Sequence, residues 1–138
     1  IEEITGCSPL IFPHPKRLDN NYIPKDIKVH KFNDLEIIKN SRFVLMHAST
    51  SVSFPVLFNI PIIQIYPDIS SNSKWYSDWI LLLSKILNTN LIYESKGVNI
   101  KNQSNKYFSK IDSLKYKKYI KNFIYDGNLN PYFYKYLF

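Results

Sequence analysis

"FVLMHASTSVSFPVLFNIPIIQIYP", residues 43–67, places a short polar segment between two almost wholly apolar runs. The first run, residues 43–46, is continuous and of strand length, which indicates a strand covered on both faces. Residues 51–58 are predicted to form a helix capped by a hydroxyl residue, with Pro55 in its first turn. Residues 61–66 are the next buried strand. The stretch therefore predicts a strand–loop–helix–strand unit, the building block of a parallel sheet.

The segments on either side of this unit continue the alternation of strands and helices. Before it, we expect strands at 9–12 and 27–32 and a short helix at 33–40; after it, helices at 75–86 and 106–125 and a strand at 91–93. This order predicts an α/β fold with a Rossmann-like, mainly parallel sheet flanked by helices. We expect residues 1–100 to form this domain, incomplete at its N-terminus. Residues 101–138 are expected to add a basic, aromatic helix and tail that pack on it.

Two helical stripes are predicted to face the core. The first consists of Trp75, Trp79, Leu82, Leu83 and Ile86, which recur at the spacing of one helical face. The second consists of Tyr116, Ile120, Phe123 and Ile124 in the last helix. Asn59 is expected to end the helix of the central unit. The tryptophan stripe indicates core packing and not a cofactor site.

The composition is that of a globular protein, with 45% hydrophobic and 21% charged residues. Cys7 stands alone, which excludes an internal disulfide and a cysteine-rich zinc site. No apolar run approaches the roughly 20 residues that a membrane-spanning helix requires. The sequence begins at Ile1 and its single Met is Met46, so we expect it to be a piece of a longer protein.

Two polar loops follow predicted strands, at the sheet edge where parallel sheets bind ligands. The loop after Phe12 is Pro13-His14-Pro15-Lys16-Arg17, whose histidine and two cations suit a phosphate oxygen. The loop after Met46 contains His47, Ser49, Thr50 and Ser51 and leads into a helix, whose amides and dipole attract an anion. Taken singly, the first is also an ordinary basic surface loop and the second a helix cap, which needs one hydroxyl and not three. Together they favour a phosphate site; no histidine pair has metal-ligand spacing, so no metal is predicted.

These loops carry a resemblance to a known family. "IFPHPKR" at 11–17, followed by "NDLEIIKNSRFVLMHASTSVSFPVLFNIPIIQIY" at 33–66, resembles the C-terminal, donor-binding half of GT-B glycosyltransferases over residues 1–87. His14-Pro15 and Ser49-Thr50-Ser51 are similar to the HP and S/T motifs of bacterial sialyltransferases and polysialyltransferases. The resemblance implies that His14 contacts or protonates the phosphate of a CMP leaving group. It also implies that Ser49, with Thr50 or Ser51, binds this phosphate.

The resemblance further implies inverting transfer of a sugar from a CMP-linked donor to a bacterial surface glycan or glycolipid, with no other cofactor. The acidic Asp/Glu-Asp/Glu-Gly motif that supplies the family's base is not matched, because Glu2-Glu3 is followed by Ile4. The base and the acceptor site are therefore expected on an N-terminal domain or partner subunit. UDP-sugar transferases, CDP-glycerol transferases and UDP-sugar epimerase-like enzymes stay open as alternatives, as does a basic nucleic-acid-binding module.

The net charge of +7 is concentrated in the C-terminal part, where residues 101–138 hold eight Lys against Asp112 and Asp126. Aromatic residues interleave with these lysines. This basic, aromatic segment has three interpretations, in descending order of preference. Its aromatic residues pack onto the sheet or onto a missing domain, the segment contacts anionic lipid, or its aromatic rings stack on nucleobases. The expected location is the cytoplasm, with peripheral attachment to the inner face of the membrane as an alternative.

Overall fold

The structure, a computed structural model, describes residues 5–12, 28–29, 35–47, 49–67, 74–93 and 105–124. A two-stranded sheet pairs β1 (Leu10–Ile11) with β2 (Lys28–Val29), and a three-stranded sheet has the order β3 (Val44–Met46), β4 (Ile62–Tyr66), β5 (Asn90–Tyr93). Every strand pair in these ranges is parallel. The predicted α/β class with parallel strands is confirmed for the described residues.

The helices supply the crossovers that parallel neighbours require. They are α1 (Leu35–Lys39), a 3-10 turn (Thr50–Val52) that continues into α2 (Ser53–Leu57), α3 (Lys74–Leu87), α4 (Asn105–Phe108) and α5 (Ser113–Tyr119), which continues into a π-helical turn (Ile120–Ile124). The 3-10 turn and α2 connect β3 to β4, and α3 lies between β4 and β5. Within the described ranges, no helix combines the length and apolarity needed to cross a bilayer.

Asparagine ends both crossover helices in the same way. Asn59 and Asn88 each have a φ of 55°, the left-handed conformation that asparagine tolerates better than most residues. After α2, the Ile60 amide donates to the Pro55 carbonyl at 2.8 Å, and after α3 the Thr89 amide donates to the Ser84 carbonyl at 3.0 Å. These are the bonds of a Schellman motif, which satisfies carbonyls at the end of a helix and turns the chain into the next strand.

The core lies where α2, α3 and α5 meet one face of the three-stranded sheet. Its buried members are Val52, Val56, Ile62, Leu83, Leu87, Tyr116 and Tyr119. Side chains alternate along a strand, so Ile63 points to the opposite face from Ile62. Asn90, in register with Ile63, donates through its side chain to the Tyr107 carbonyl at 2.7 Å, which places α4 on that opposite face. Helices therefore cover both faces of the sheet.

The predicted core-facing stripe of α3 is wrong for its two tryptophans and for Leu82. Trp75 is 71% exposed, Trp79 42% and Leu82 46%, whereas Ile80, Leu83 and Leu87 are buried. Both sets recur at helical spacing, and the set that faces β4 is the one without indole rings. Of the predicted stripe, Leu83 is buried in the core and Ile86, half-buried, packs against it.

The predicted continuous helix at 106–125 is also wrong, because Asp112 interrupts it. Asp112 has extended geometry, and its side chain accepts a hydrogen bond from the Lys115 amide at 3.0 Å, which makes it the cap of α5. Its second carboxylate oxygen accepts from the side chain of Asn88 at 2.9 Å. These two hydrogen bonds, with Asn88 and then with Lys115, hold the pKa of the Asp112 carboxyl below its usual range. At the other end, Phe123 is 60% exposed rather than buried.

Candidate functional site

The polar loop begins where β3 ends, and Ser49 organises it. Ser49 is extended, and its hydroxyl oxygen accepts a hydrogen bond from the Ser51 amide at 3.2 Å. The same hydroxyl donates to the Ser51 hydroxyl at 3.1 Å, and the Ser49 carbonyl accepts from the Val52 amide at 3.1 Å. Ser49 is therefore the cap of the 3-10 turn, which is the structural role that one hydroxyl of the loop was expected to take.

Thr50 and Ser51 keep donors available after this cap has formed. Thr50 is exposed, and neither its amide nor its hydroxyl has a hydrogen-bond partner among the described residues. The Ser51 hydroxyl accepts from Ser49, and its own proton has no acceptor in the described part of the chain, which leaves it able to donate to a ligand. The loop thus offers two hydroxyl donors and one amide donor at the carboxyl end of a parallel strand.

His47 is fixed at the start of the same loop. Its Nδ1 lies 3.1 Å from the carbonyl oxygen of Ile65 in β4. A carbonyl only accepts, so the hydrogen bond requires the proton on Nδ1 and leaves the lone pair of the neutral ring on Nε2. The ring is exposed and its centroid lies 6.4 Å from that of Tyr76 near the start of α3. His47 is therefore positioned as a proton acceptor or, when charged, as a cation.

A cavity of about 230 Å³ adjoins the loop of Ser49, Thr50 and Ser51, which we call the hydroxyl loop. It lies between the 3-10 turn, α3 and the end of α5, and it is lined by Ser49, Thr50, Val52, Ser53, Trp79, Leu83, Ile86, Tyr119 and Phe123. Hydroxyls form one wall, while aromatic and aliphatic side chains form the others. This combination suits a ligand with a polar or anionic end and an apolar or ring-shaped remainder.

Tyr119 brings a neutral phenol to this cavity. Its ring packs against that of Phe123, with centroids 4.9 Å apart. Burial raises the pKa of Tyr119 above its ordinary value, and a side-chain hydrogen bond with Ser53 offsets part of that rise. The phenol therefore stays protonated through the neutral range and can donate a hydrogen bond.

The structure describes one of the two loops of the predicted site. His47, Ser49, Thr50 and Ser51 lie in one loop, whereas His14, Pro15, Lys16 and Arg17 lie outside the described residues, as does His30. The predicted meeting of the two loops stays a prediction. In the part of the chain that the structure describes, no group of three or more His, Cys, Asp or Glu side chains could hold a metal ion.

Sequence reasoning missed the aromatic wall of the cavity. Trp79 and Phe123 were predicted to face the core, and Tyr119 and Ser53 were given no role. The spacing of Thr50 and Ser53, three residues apart, was a usable signal, because residues so spaced in a 3-10 turn lie on one side. The aromatic wall comes from elements distant in sequence, so local spacing carries no signal for it.

Comparison with known proteins gives no match among protein-family models, curated proteins or solved structures.

Proposed function

We propose that this chain binds a nucleotide-activated sugar and forms the donor-binding half of an inverting GT-B glycosyltransferase. The observation that carries the proposal is the hydroxyl loop at the carboxyl end of β3. There Thr50 and Ser51 present donors that have no acceptor among the described residues, beside the cap made by Ser49. Phosphate oxygens are acceptors for such donors, and the carboxyl edge of a parallel sheet is where α/β folds bind nucleotides. The short parallel sheet with helices on both faces is compatible with a Rossmann-like domain.

The proposed reaction is a single displacement. An acceptor hydroxyl attacks the anomeric carbon, the bond from that carbon to the phosphate oxygen breaks, and the nucleotide departs with the bonding electrons. The hydroxyl loop binds the phosphate that gains charge, and His14, by the family resemblance, protonates or contacts it. The proton of the acceptor hydroxyl goes to a base on an N-terminal domain or partner subunit. His47, through Nε2, is a second donor to the phosphate when protonated.

The donor is proposed to be CMP-linked and the acceptor a bacterial surface glycan or glycolipid, on the cytoplasmic side of the membrane. UDP-sugar or CDP-glycerol transfer and an epimerase-like reaction use the same kind of phosphate site. The aromatic wall of the cavity adjoins Ser49 and Thr50 and offers space for the part of the donor beyond the phosphate.

The test is thermal unfolding of the chain with CMP, CDP, UDP and GDP in parallel. A ligand that binds the folded state raises its stability by about 2.7 kcal/mol at a hundredfold excess over Kd, so binding appears as a higher Tm. We expect CMP to give the largest rise. Replacing Thr50 by Val and Ser51 by Ala should abolish most of the rise in Tm that CMP causes, because two hydroxyls that donate hydrogen bonds to the phosphate are lost while the Ser49 cap stays.

The matched control is Ser113→Ala, which removes an exposed hydroxyl from the first residue of α5. It should leave the nucleotide response intact. A larger response to UDP than to CMP contradicts the CMP-linked donor but not donor binding. No response to any nucleotide, together with salt-dependent binding of single-stranded oligonucleotides, contradicts the transferase and favours the nucleic-acid module.

A further inference from the structure

An exposed apolar patch runs along the outer side of α3 and across to the end of α5. It consists of Trp75, Trp79, Leu82 and Phe123, each more than two-fifths exposed. Trp79 and Phe123 line the same cavity, so the two helical segments contribute to one surface. Large apolar side chains grouped on a surface mark an interaction site more often than scattered ones do.

Exposed lysines lie on the same helical segments as this apolar patch. Residues 74–85 contribute Lys74 and Lys85, and residues 113–124 contribute Lys115, Lys117, Lys118 and Lys121, all of them exposed. The carboxylates of these same segments and of the cap before α5 are Asp78 and Asp112, and Asp112 is already hydrogen-bonded by Asn88 and Lys115. The surface therefore carries a clear excess of positive charge.

The outer side of α3 carries most of the patch, and α5 with its π-helical turn carries four of the six lysines. α3 and α5 both bury their inner residues in one core, Leu83 and Leu87 from α3 and Tyr116 and Tyr119 from α5. Their outer sides therefore both point away from that core. Leu114, 80% exposed, lies among the lysines of α5, since positions 114, 117, 118 and 121 share one side of a helix.

We propose that this surface rests on an anionic lipid bilayer. Indole rings favour the boundary between headgroups and acyl chains, leucine side chains insert below it, and lysines are attracted to anionic headgroups. A second copy of the chain would bring two sets of lysines together and be repelled. A single-stranded nucleic acid would pair with the lysines and aromatic rings but leave Leu82 and Leu114 without a role. The bilayer uses every exposed member of the surface.

The two tryptophans of the chain both belong to the patch, so intrinsic fluorescence reports on it directly. The experiment adds vesicles of phosphatidylglycerol, or of phosphatidylcholine as a zwitterionic reference, to the chain. We expect a blue shift of tryptophan emission and co-sedimentation with the phosphatidylglycerol vesicles, both reduced by high salt. Phosphatidylcholine should give a much smaller effect.

Two matched pairs of variants locate the contact. Leu82→Ala should weaken vesicle binding roughly fivefold to tenfold, since apolar surface no longer leaves water on binding, whereas Leu10→Ala, an exposed leucine of β1, should not. Lys118→Glu should weaken it by at least about fivefold, whereas Lys39→Glu in α1, with the same change in net charge, should have little effect. Unfolding midpoints near wild type verify that the variants are folded.

The proposal is overturned if phosphatidylglycerol vesicles give no shift of tryptophan emission. It is equally overturned if Lys39→Glu and Lys118→Glu weaken binding alike, because net charge rather than this surface would then be responsible. Emission shifts with a thymidine oligonucleotide but not with vesicles would assign the surface to nucleic acid instead. None of these outcomes depends on nucleotide-sugar binding.

Discussion

At the residue scale, Gln64 is the side chain whose position is hardest to account for by packing alone. It lies in the middle of β4, in register with Met46 and Leu91, and is 0% exposed. Its Oε1 accepts a long hydrogen bond, 3.3 Å, from the Thr89 hydroxyl, and its Nε2 has no partner within the described ranges. A buried donor without an acceptor costs about 1–3 kcal/mol. Gln64 therefore subtracts from the stability of the sheet that it helps to build.

We expect Gln64→Met to raise the free energy of unfolding by about 1 kcal/mol, because a side chain of similar length replaces the unpaired amide. Urea unfolding monitored by circular dichroism measures it. Thr89→Val should destabilise the wild type, which loses the donor to Oε1, and be nearly neutral in the Gln64→Met background. A loss of stability in Gln64→Met would show instead that the amide has a partner in the rest of the chain.

At the element scale, the two crossover helices depend on how they stop. Asn59 and Asn88 adopt the left-handed conformation, and at each of them the backbone turns directly from the helix into the next strand. If either turn opened, the register of the following strand against its neighbour would be lost, because the amide after each asparagine is bonded back to its helix. The strand register of the crossover unit therefore depends on these helix C-termini as much as on the apolar strands.

Asn59→Ala should lower the free energy of unfolding by about 1 kcal/mol. The reason is that the Cβ atom of alanine comes too close to the following carbonyl oxygen at this positive φ, and alanine lacks the polar side chain that helps asparagine to adopt it. Asn59→Gly should leave stability unchanged or slightly raised, since glycine adopts positive φ freely. Chemical unfolding of the three proteins side by side measures the difference. Equal stabilities for the Ala and Gly variants would mean that residue 59 leaves the left-handed region in solution.

The positions of the helices and strands could largely be predicted from the sequence, whereas the side of each helix that meets the core could not. The strand expected at 61–66 is Ile62–Tyr66, and the helix expected at 75–86 is Lys74–Leu87. Within that helix, however, two apolar stripes compete, and local spacing does not say which one meets β4. The break before α5 had a local signal, because aspartate commonly caps helices and Asp112 caps α5 through the Lys115 amide, but the amphipathic pattern across 106–125 outweighed it. The bond of Asp112 to Asn88, 24 positions away, leaves no local pattern.

The candidate site was predictable in the same limited sense. Three hydroxyl residues after a buried strand are visible in the sequence, and the structure places them at the carboxyl end of β3. The cavity wall is built by Trp79 and Tyr119, which only the packing of α3 against α5 brings to Thr50. Contacts of this kind are set by the whole fold and leave no local pattern.

At the scale of the whole molecule, one hydrogen bond joins the end of the described chain to its centre. The Tyr116 hydroxyl donates to the Ile60 carbonyl at 3.1 Å, across 56 sequence positions. Ile60 is the residue that leads from α2 into β4, and Tyr116 lies in the core beside Ile62. Burial raises the pKa of Tyr116 to about 12, so its proton is held firmly in the folded state.

The burial of the Tyr116 hydroxyl predicts a specific alkaline sensitivity. Between pH 10 and about 12 the unfolded chain loses the Tyr116 proton while the folded chain keeps it. The folded state then binds more protons than the unfolded state, so stability present below pH 10 falls as pH rises through this window. Tyr116→Phe should be less stable at pH 7 by about 1 kcal/mol, because the Ile60 carbonyl loses its donor.

The variant should also lose stability less steeply than wild type above pH 10, and urea midpoints from pH 7 to 12 give both slopes. The difference between the slopes isolates Tyr116 from the other tyrosines. Parallel slopes would show that Tyr116 titrates in the folded protein as it does in the unfolded chain.

The order of the elements also governs how the chain matures during synthesis. β3, β4 and β5 leave the ribosome in the order in which they lie side by side, so each new strand finds its neighbour already made. Tyr116 and Tyr119, which close the core over Val56, Ile62 and Leu87, emerge only afterwards. Until then the apolar residues that these two tyrosines cover are exposed to solvent, and this interval is when a chaperone has the most apolar surface to shield.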